Sequence, residues 1–374
     1  MSKPERQHFI PRSYLNNFAV RAGDKYFIHG KRFDTDKIVS LSTKDICVDK
    51  NLYTIPTADG GKKFDIEHFY ADKVDSVFPE IYSILKNRHL ATIDFDIRLK
   101  VIITALSLYF RTPKFLNIQN RLFESIVSKN LDSTNEKEIA VSLFGEEIRI
   151  KRDEAEEVIQ EKKDHNRIKF LFQHLQSYEK FVQSKLLDNM AVYHIDDDSE
   201  FITSDNPVII RPHADPTKPE FNYTDYYSQV INPFDKTNMI HLPVDNKTIL
   251  TILPATKESV SELFQRLDIG VYDVIMYNSD IEKYSENWIL GSKTGIEKHI
   301  QDQQTYNVEN GVNLELMEKY KNKVIALKQL VELMELHGST SDQVKEKIIK
   351  MKSNPYISAD INFQKMAQQI EQRN

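Results

Sequence analysis

Apolar residues at Ile66, Phe69, Tyr70, Val74, Val77, Phe78, Ile81, Ile84 and Leu85 recur at steps of three and four. The spacing predicts a core-facing helix with a wide apolar stripe. Pro79 lies inside that stripe and predicts a kink or a division into two helices. Asp94–Thr112 reads as a second helix, apolar on most faces between Leu99 and Phe110, which places it at the centre of the domain. Pro113 opens a third, to about Lys129, and Arg152–Leu187 makes one or two long helices whose second half carries Ile168, Phe170, Leu171, Leu175, Phe181 and Leu186. On both sides of this stretch the pattern turns to short β-rich runs. Before it, a short helix is followed by Tyr26–His29, Lys37–Leu41 and Asn51–Ile55, the last closed by Pro56 and an Asp59-Gly60-Gly61 turn. After it come Met190–Ile195, Phe201–Thr203, Pro207–Ile210, Met239–Leu242 and Thr248–Leu253. Helices then resume over 256–267 and 272–290.

These elements predict an α+β fold, mostly helical, with a small N-terminal β-region and a second mixed β-sheet around 190–254. A single domain is expected over 1–300, divided into a β-rich part (1–63), a helical part (64–189) and a part of strands and helices (190–300). A C-terminal helical extension over 312–374 carries a stripe of Leu314, Met317, Val324, Leu327, Leu330, Val331, Leu333 and Met334. A one-sided apolar face must be covered, so a homodimer through these helices is expected.

Composition narrows the chemistry. Only 10 of the 374 residues are Gly. No GxGxxG and no GxxxxGK[ST] can be assembled from them, and Gly291-Ser292-Lys293-Thr294 lacks the upstream glycine of a P-loop because Glu286 stands there. Dinucleotide-binding and Walker-type readings, which cradle phosphate on glycine-loop amides, are set aside. Cys47 is the sole cysteine, which excludes an intrachain disulfide and a cysteine-rich zinc site. The opening MSKPERQHFIPRSYL lacks the apolar run of a signal peptide, and Val101–Phe110 is too short to span a bilayer. A cytoplasmic protein without membrane contact is expected. The formal charge of −6 argues against blanket nucleic-acid coating, although residues 1–63 are locally basic.

Three polar constellations stand out. Gln7-His8-Phe9-Ile10-Pro11-Arg12-Ser13-Tyr14-Leu15 could present an imidazole at a helix start, where it suits anion contact, or could cap the first helix while Tyr14 and Leu15 enter the core. Phe110-Arg111-Thr112-Pro113 ends the central helix with an Arg able to grip phosphate, to pair with a carboxylate or to offset the helix dipole. Ser204-Asp205-Asn206-Pro207 follows a buried strand, where polar residues suit a site and equally suit a turn. Weaker signals are His194-Ile195-Asp196-Asp197-Asp198, a divalent-cation cluster or a solvated acidic turn, and the His213–Asp235 loop. Its Phe221, Tyr223, Tyr226 and Tyr227 could stack bases or cover the core.

In order and spacing the motifs QHxxPxxYL, RTP and SDNP, over about residues 5–292, resemble a bacterial domain family catalogued only as a domain of unknown function. Asn51-Leu52-Tyr53-Thr54 resembles the family's N-[LF]-Y strand, and Ile240–Asp245 sits where the family has an f-P-L-s-P strand, with Val244 and Asp245 as departures. Tyr277-Asn278 is similar to a further family helix. The resemblance implies bacterial origin and a polar site. On that footing His8, Arg111, Asp205 and Asn206 are the candidate catalytic residues, with Gln7, Arg12, Ser204 and Tyr14 as substrate contacts. His8 is the general acid or base, Arg111 the stabiliser of the pentavalent charge, Asp205 the group that orients the imidazole or holds a metal, and Asn206 the substrate-positioning residue. The expected activity is hydrolysis of a phosphate ester by a nuclease or nucleotide hydrolase, with a divalent cation (Mg or Mn) and nucleic acid or nucleotide as substrate, in a toxin or phage-defence role by analogy. The alternative is a non-catalytic binding or scaffold module that uses the 213–235 loop and the C-terminal helices.

Overall fold

The computed structural model describes residues 6–57, 59–143, 146–212, 234–255, 263–306 and 341–353, with 358, 363–365 and 367–368. Its fold is α+β. The strands are β1 (Arg6–His8), β2 (Val20–Ala22), β3 (Lys25–Arg32), β4 (Ile38–Ser42), β5 (Val48–Lys50), β6 (Ile55–Pro56), β7 (Lys62–Lys63), β8 (Glu138–Leu143), β9 (Glu146–Lys151), β10 (Asn189–Ile195), β11 (Thr203–Ser204), β12 (Ile209–Arg211), β13 (Met239–Asp245), β14 (Thr248–Leu253), β15 (Phe264–Ile269) and β16 (Trp288–Gly291). The helices are α1 (Arg12–Leu15), α2 (Asp65–Tyr70), α3 (Phe78–Lys86), α4 (Phe95–Phe110), α5 (Pro113–Leu116), α6 (Ile118–Ser133), α7 (Ala155–Lys185), α8 (Val271–Tyr284), α9 (Lys293–Tyr306) and α10 (Ser341–Lys352).

One five-stranded sheet runs β12-β13-β14-β10-β15, antiparallel except for the parallel pair of β10 and β15. Its residues alternate between two buried faces, which is why its strands read as apolar runs. Met190, Val192, Ile240, Leu242, Leu250 and Ile252 join Ile81, Leu85, Val101, Ala105 and Phe181 of α3, α4 and α7. Ile195, Ile249 and Phe201 pack on the other side with Val274 and Tyr277 of α8. A second sheet runs β11-β16-β3-β2, with β4 also on β3. Gly30 in β3 packs tightly there: a Cβ would meet Leu290 Cδ2 at 2.9 Å and Leu41 Cδ1 at 3.0 Å, and those leucines would have to shift.

The central helix α4 is capped by Asp94, whose carboxylate accepts from Ile97 N at 2.8 Å, and it is buried on most sides as its sequence predicts. Pro79 divides the preceding stripe instead of kinking it. It sits in the first turn of α3, and between α2 and α3 the chain makes a π-helical turn at Ala71–Asp75.

Other expectations are corrected. The segment 256–267 is not a helix where it is described: Phe264–Ile269 is a strand, fixed by its ladder to β10. The 272–290 helix stops at Tyr284, and Trp288–Gly291 is a strand on β3. Asn51–Thr54 is a turn in which Asn51 takes a φ of 56°, so only Ile55–Pro56 is extended. Cys47 also has a φ of 56° and lies between β4 and β5. The β8–β9 ribbon falls in a stretch to which no element had been assigned. No helix among the described residues is long and apolar enough to cross a membrane.

Candidate functional site

The Gln7-His8 pair is presented on a strand. β1 pairs with β5, which sets Gln7 inward and His8 half-buried at the edge. Gln7 Oε1 accepts from Tyr53 N at 2.7 Å, while its Nε2 has no partner among the described residues. The His8 carbonyl accepts from Arg111 Nη2 at 2.7 Å, while its Nε2 is likewise unpartnered. Burial pushes the imidazole below its ordinary pKa of 6.5, and the nearby charges of Arg12 and Arg111 push the same way; backbone groups of Thr43 and Lys44 offset part of this. A neutral ring at physiological pH follows.

Arg111 caps the C-terminal end of α4 and is 1 % exposed. Its Nη1 meets Asp75 Oδ1 at 2.6 Å, and its guanidinium lies 4.5 Å from the Tyr70 ring centroid. Its own carbonyl accepts from the Tyr53 hydroxyl, and its Nε has no partner among the described residues. Burial alone would lower the pKa of Arg111, but Asp75 beside it more than reverses this. Around the ion pair stand two further titratable groups. Tyr70 Oη is 2.6 Å from Nε2 of His174, a fully buried residue that burial and Arg111 drive down to about 3. Glu67, half-buried, is raised by burial against the pull of Arg111, and its Oε2 has no partner among the described residues. The π-turn explains the geometry. It adds a residue to the turn between Glu67 and Asp75, and such bulges recur at functional sites.

The SDNP motif is spent differently. Both Asp205 oxygens accept backbone amides: Glu286 N at 2.8 Å, Asn287 N at 2.8 Å and Trp288 N at 3.2 Å. Burial still raises its pKa to about 6, against the pull of these amides. Asn206 Oδ1 accepts from Thr112 Oγ1 at 3.1 Å, and its Nδ2 donates to Tyr284 O at 2.7 Å. Ser204 Oγ accepts from Asn206 N at 3.1 Å. The Tyr14 hydroxyl donates to Pro243 O at 2.8 Å and lies 2.7 Å from Thr203 Oγ1.

The three motifs are therefore sewn together, His8 to Arg111 and Thr112 to Asn206, yet only the first two leave chemistry open. Asp205, Asn206, Ser204 and Tyr14 hold the α4–α5 corner, α8 and the two sheets in register. Asp205 makes no bond to His8; Arg111 fixes the His8 backbone, and the ring itself is met by backbone groups of Thr43 and Lys44. Arg12 is exposed beside His8. Sequence reasoning missed Glu67, Asp75, Tyr70 and His174. Tyr53 alone carried a signal, in the N-L-Y-T run. At the N-terminus of α9, where Gly291–Thr294 resembles half a P-loop, the Glu200 carboxylate accepts from Ser292 Oγ and takes the anion's place. Among the described residues no three His, Cys, Asp or Glu side chains stand close enough to hold a metal ion. Tyr223, Tyr226 and Tyr227 of the 213–235 loop, and the Leu314–Met334 stripe, lie outside the described residues.

Residues 6–294 match the family described as a protein of unknown function, DUF4238. No curated protein and no solved structure matches the chain.

Proposed function

The chain belongs to the DUF4238 family, and from its own side chains we propose that it is a hydrolase of a phosphate ester, a nuclease or a nucleotide hydrolase, with His8 at the centre of its site. One observation supports the reading above all: a neutral, half-buried imidazole whose Nε2, itself buried, has no partner among the described residues, on a backbone pinned by the Arg111–Asp75 pair. Such a group accepts a proton near neutral pH. In the proposed reaction, water attacks phosphorus as His8 Nε2 takes its proton, the bond to the leaving oxygen breaks, and that oxygen takes a proton from solvent water. Exposed Arg12 grips the phosphate. Arg111, almost fully buried, is a positioning residue for His8 and lends its field. A cytoplasmic toxin or phage-defence setting belongs to the same proposal by analogy.

The test is turnover of RNA, single-stranded DNA, nucleotides and bis(p-nitrophenyl) phosphate, with and without Mg or Mn. At least one should be hydrolysed. His8→Ala should lower kcat about 10²–10⁴-fold with the fold intact, and the acid limb of kcat/KM should have its midpoint below pH 6.5, because deprotonated His8 is the active form and its pKa is lowered. No turnover of any substrate under either condition would overturn the proposal.

A further inference from the structure

We propose a second binding site, for a small zwitterion such as a free α-amino acid, in the cavity where the end of α3, the end of β10 and the tip of the β13–β14 hairpin meet. The cavity measures about 340 Å³, at the lower end of the range for ligand sites. It is independent of the reading of His8.

The walls are charged and balanced. Lys86, Arg88 and Lys247 face Asp196, Asp197 and Asp245. Three cations against three carboxylates give no net field to draw in a dianion or a bare cation, and no metal-holding group forms among the described residues. His194 lies in the same lining and adds no charge, because burial, with Arg88 and Arg266, drives it down to about 4.

Among the described residues, what the lining has left over is one set of donors and one set of acceptors. Lys86 Nζ donates to Tyr82 Oη at 3.2 Å, and Asp245 Oδ2 is 3.8 Å away, so its remaining N–H groups are open. Lys247 Nζ donates to Asp197 O at 2.8 Å and Ser199 O at 2.7 Å and keeps a third N–H. On the acidic side Asp245 is satisfied, accepting from Tyr82 Oη at 3.1 Å and Lys247 N at 2.8 Å. Asp196 Oδ1 pairs with Arg88 Nη1 at 2.7 Å, and Asp197 Oδ1 accepts from Ser199 N at 2.7 Å, which leaves the second oxygen of each. A ligand carboxylate matches the lysine donors and a ligand ammonium matches the two aspartate oxygens. A free amino acid offers both.

The test is isothermal titration calorimetry of the full chain with each standard free L-amino acid, followed by the N-acetyl and the amide form of any that binds. Saturable binding of at least one is expected, with each capped form weaker by about tenfold or more, because each loses one charge-assisted contact. Lys86→Gln and Asp196→Asn, at side chains 62 % and 50 % exposed, should each weaken binding similarly while leaving the melting temperature unchanged. No binding of any amino acid up to about 10 mM, the range of the weakest specific complexes, would overturn the proposal. So would an N-acetyl form that binds as tightly as its parent, which would make the cavity a simple anion site.

Discussion

Arg111 is a full charge where water does not reach, and Asp75, with its side chain 29 % exposed, is its counter-ion. Removing one partner of such a pair strands the other, which costs far more than removing both. Asp75→Ala should therefore destabilise the fold by about 3 kcal/mol, read by urea denaturation, and adding Arg111→Met should recover part of the loss. Buried histidines set a second residue-level behaviour. His174 sits at about 3, His194 at about 4, and His241 well below its ordinary value, all through burial first. Each is neutral in the folded chain and takes a proton near 6.5 in the unfolded one. Between pH 6.5 and about 4 the unfolded chain thus binds more protons, and stability falls as pH is lowered. Asp205 runs the other way: its folded value of about 6 lies above the unfolded 3.8, so it favours the fold toward acid in that window. The lowered His8 adds to the first set, and the raised carboxyls of Glu67 and Asp188 add to the second; the large histidine shifts carry the sum, and urea midpoints should fall as pH drops from about 6.5 to about 4. A flat or rising profile would mean that these imidazoles are charged in the folded chain.

The π-turn at Ala71–Asp75 is the element on which the site depends. Deleting exposed Lys73 would convert it to regular α-helix and rotate Asp75 by about 100° relative to Tyr70. The ion pair would be lost and buried Val74 would turn with it, so the deletion should destabilise the fold at least as much as Asp75→Ala and match its effect on hydrolysis. This element also shows why half of the site was hidden in the sequence. His8 and Arg111 could be read because each stands by a proline that marks a junction. Glu67 and Asp75 sit on the polar side of an apolar stripe, where acidic residues normally meet only solvent, and no spacing rule reveals a π-turn. The same limit applies to β15. Phe264 and Leu267 are three apart, as in a helix, but Arg266 between them donates to Ile84 O at 2.9 Å and Leu90 O at 3.0 Å, and the ladder to β10 decides the conformation. By contrast α4 was legible to within two residues, since burial on most sides writes itself as a nearly unbroken apolar run.

At the scale of the whole molecule, a buried sheet lies between the α3–α4–α7 layer and α8, and the family match ends at residue 294, inside α9. The chain beyond it is not idle: Ile348, Met351, Phe363 and Ala367 are buried, and Lys365 pairs with Asp268 at the end of β15. Removing 341–374 should lower the melting temperature measurably by calorimetry while leaving the site elements in place; an unchanged melting temperature would make this segment a dispensable appendage. The tie between Tyr14 and Pro243 has a consequence for how the protein is made. The two residues are 229 apart in the chain, so at ribosomal rates the hydroxyl that joins α1 to the sheet is exposed for about 10–45 s before its acceptor exists. The N-terminal third, with His8 in it, emerges early and is completed late, and is the part of the nascent chain that would engage a chaperone.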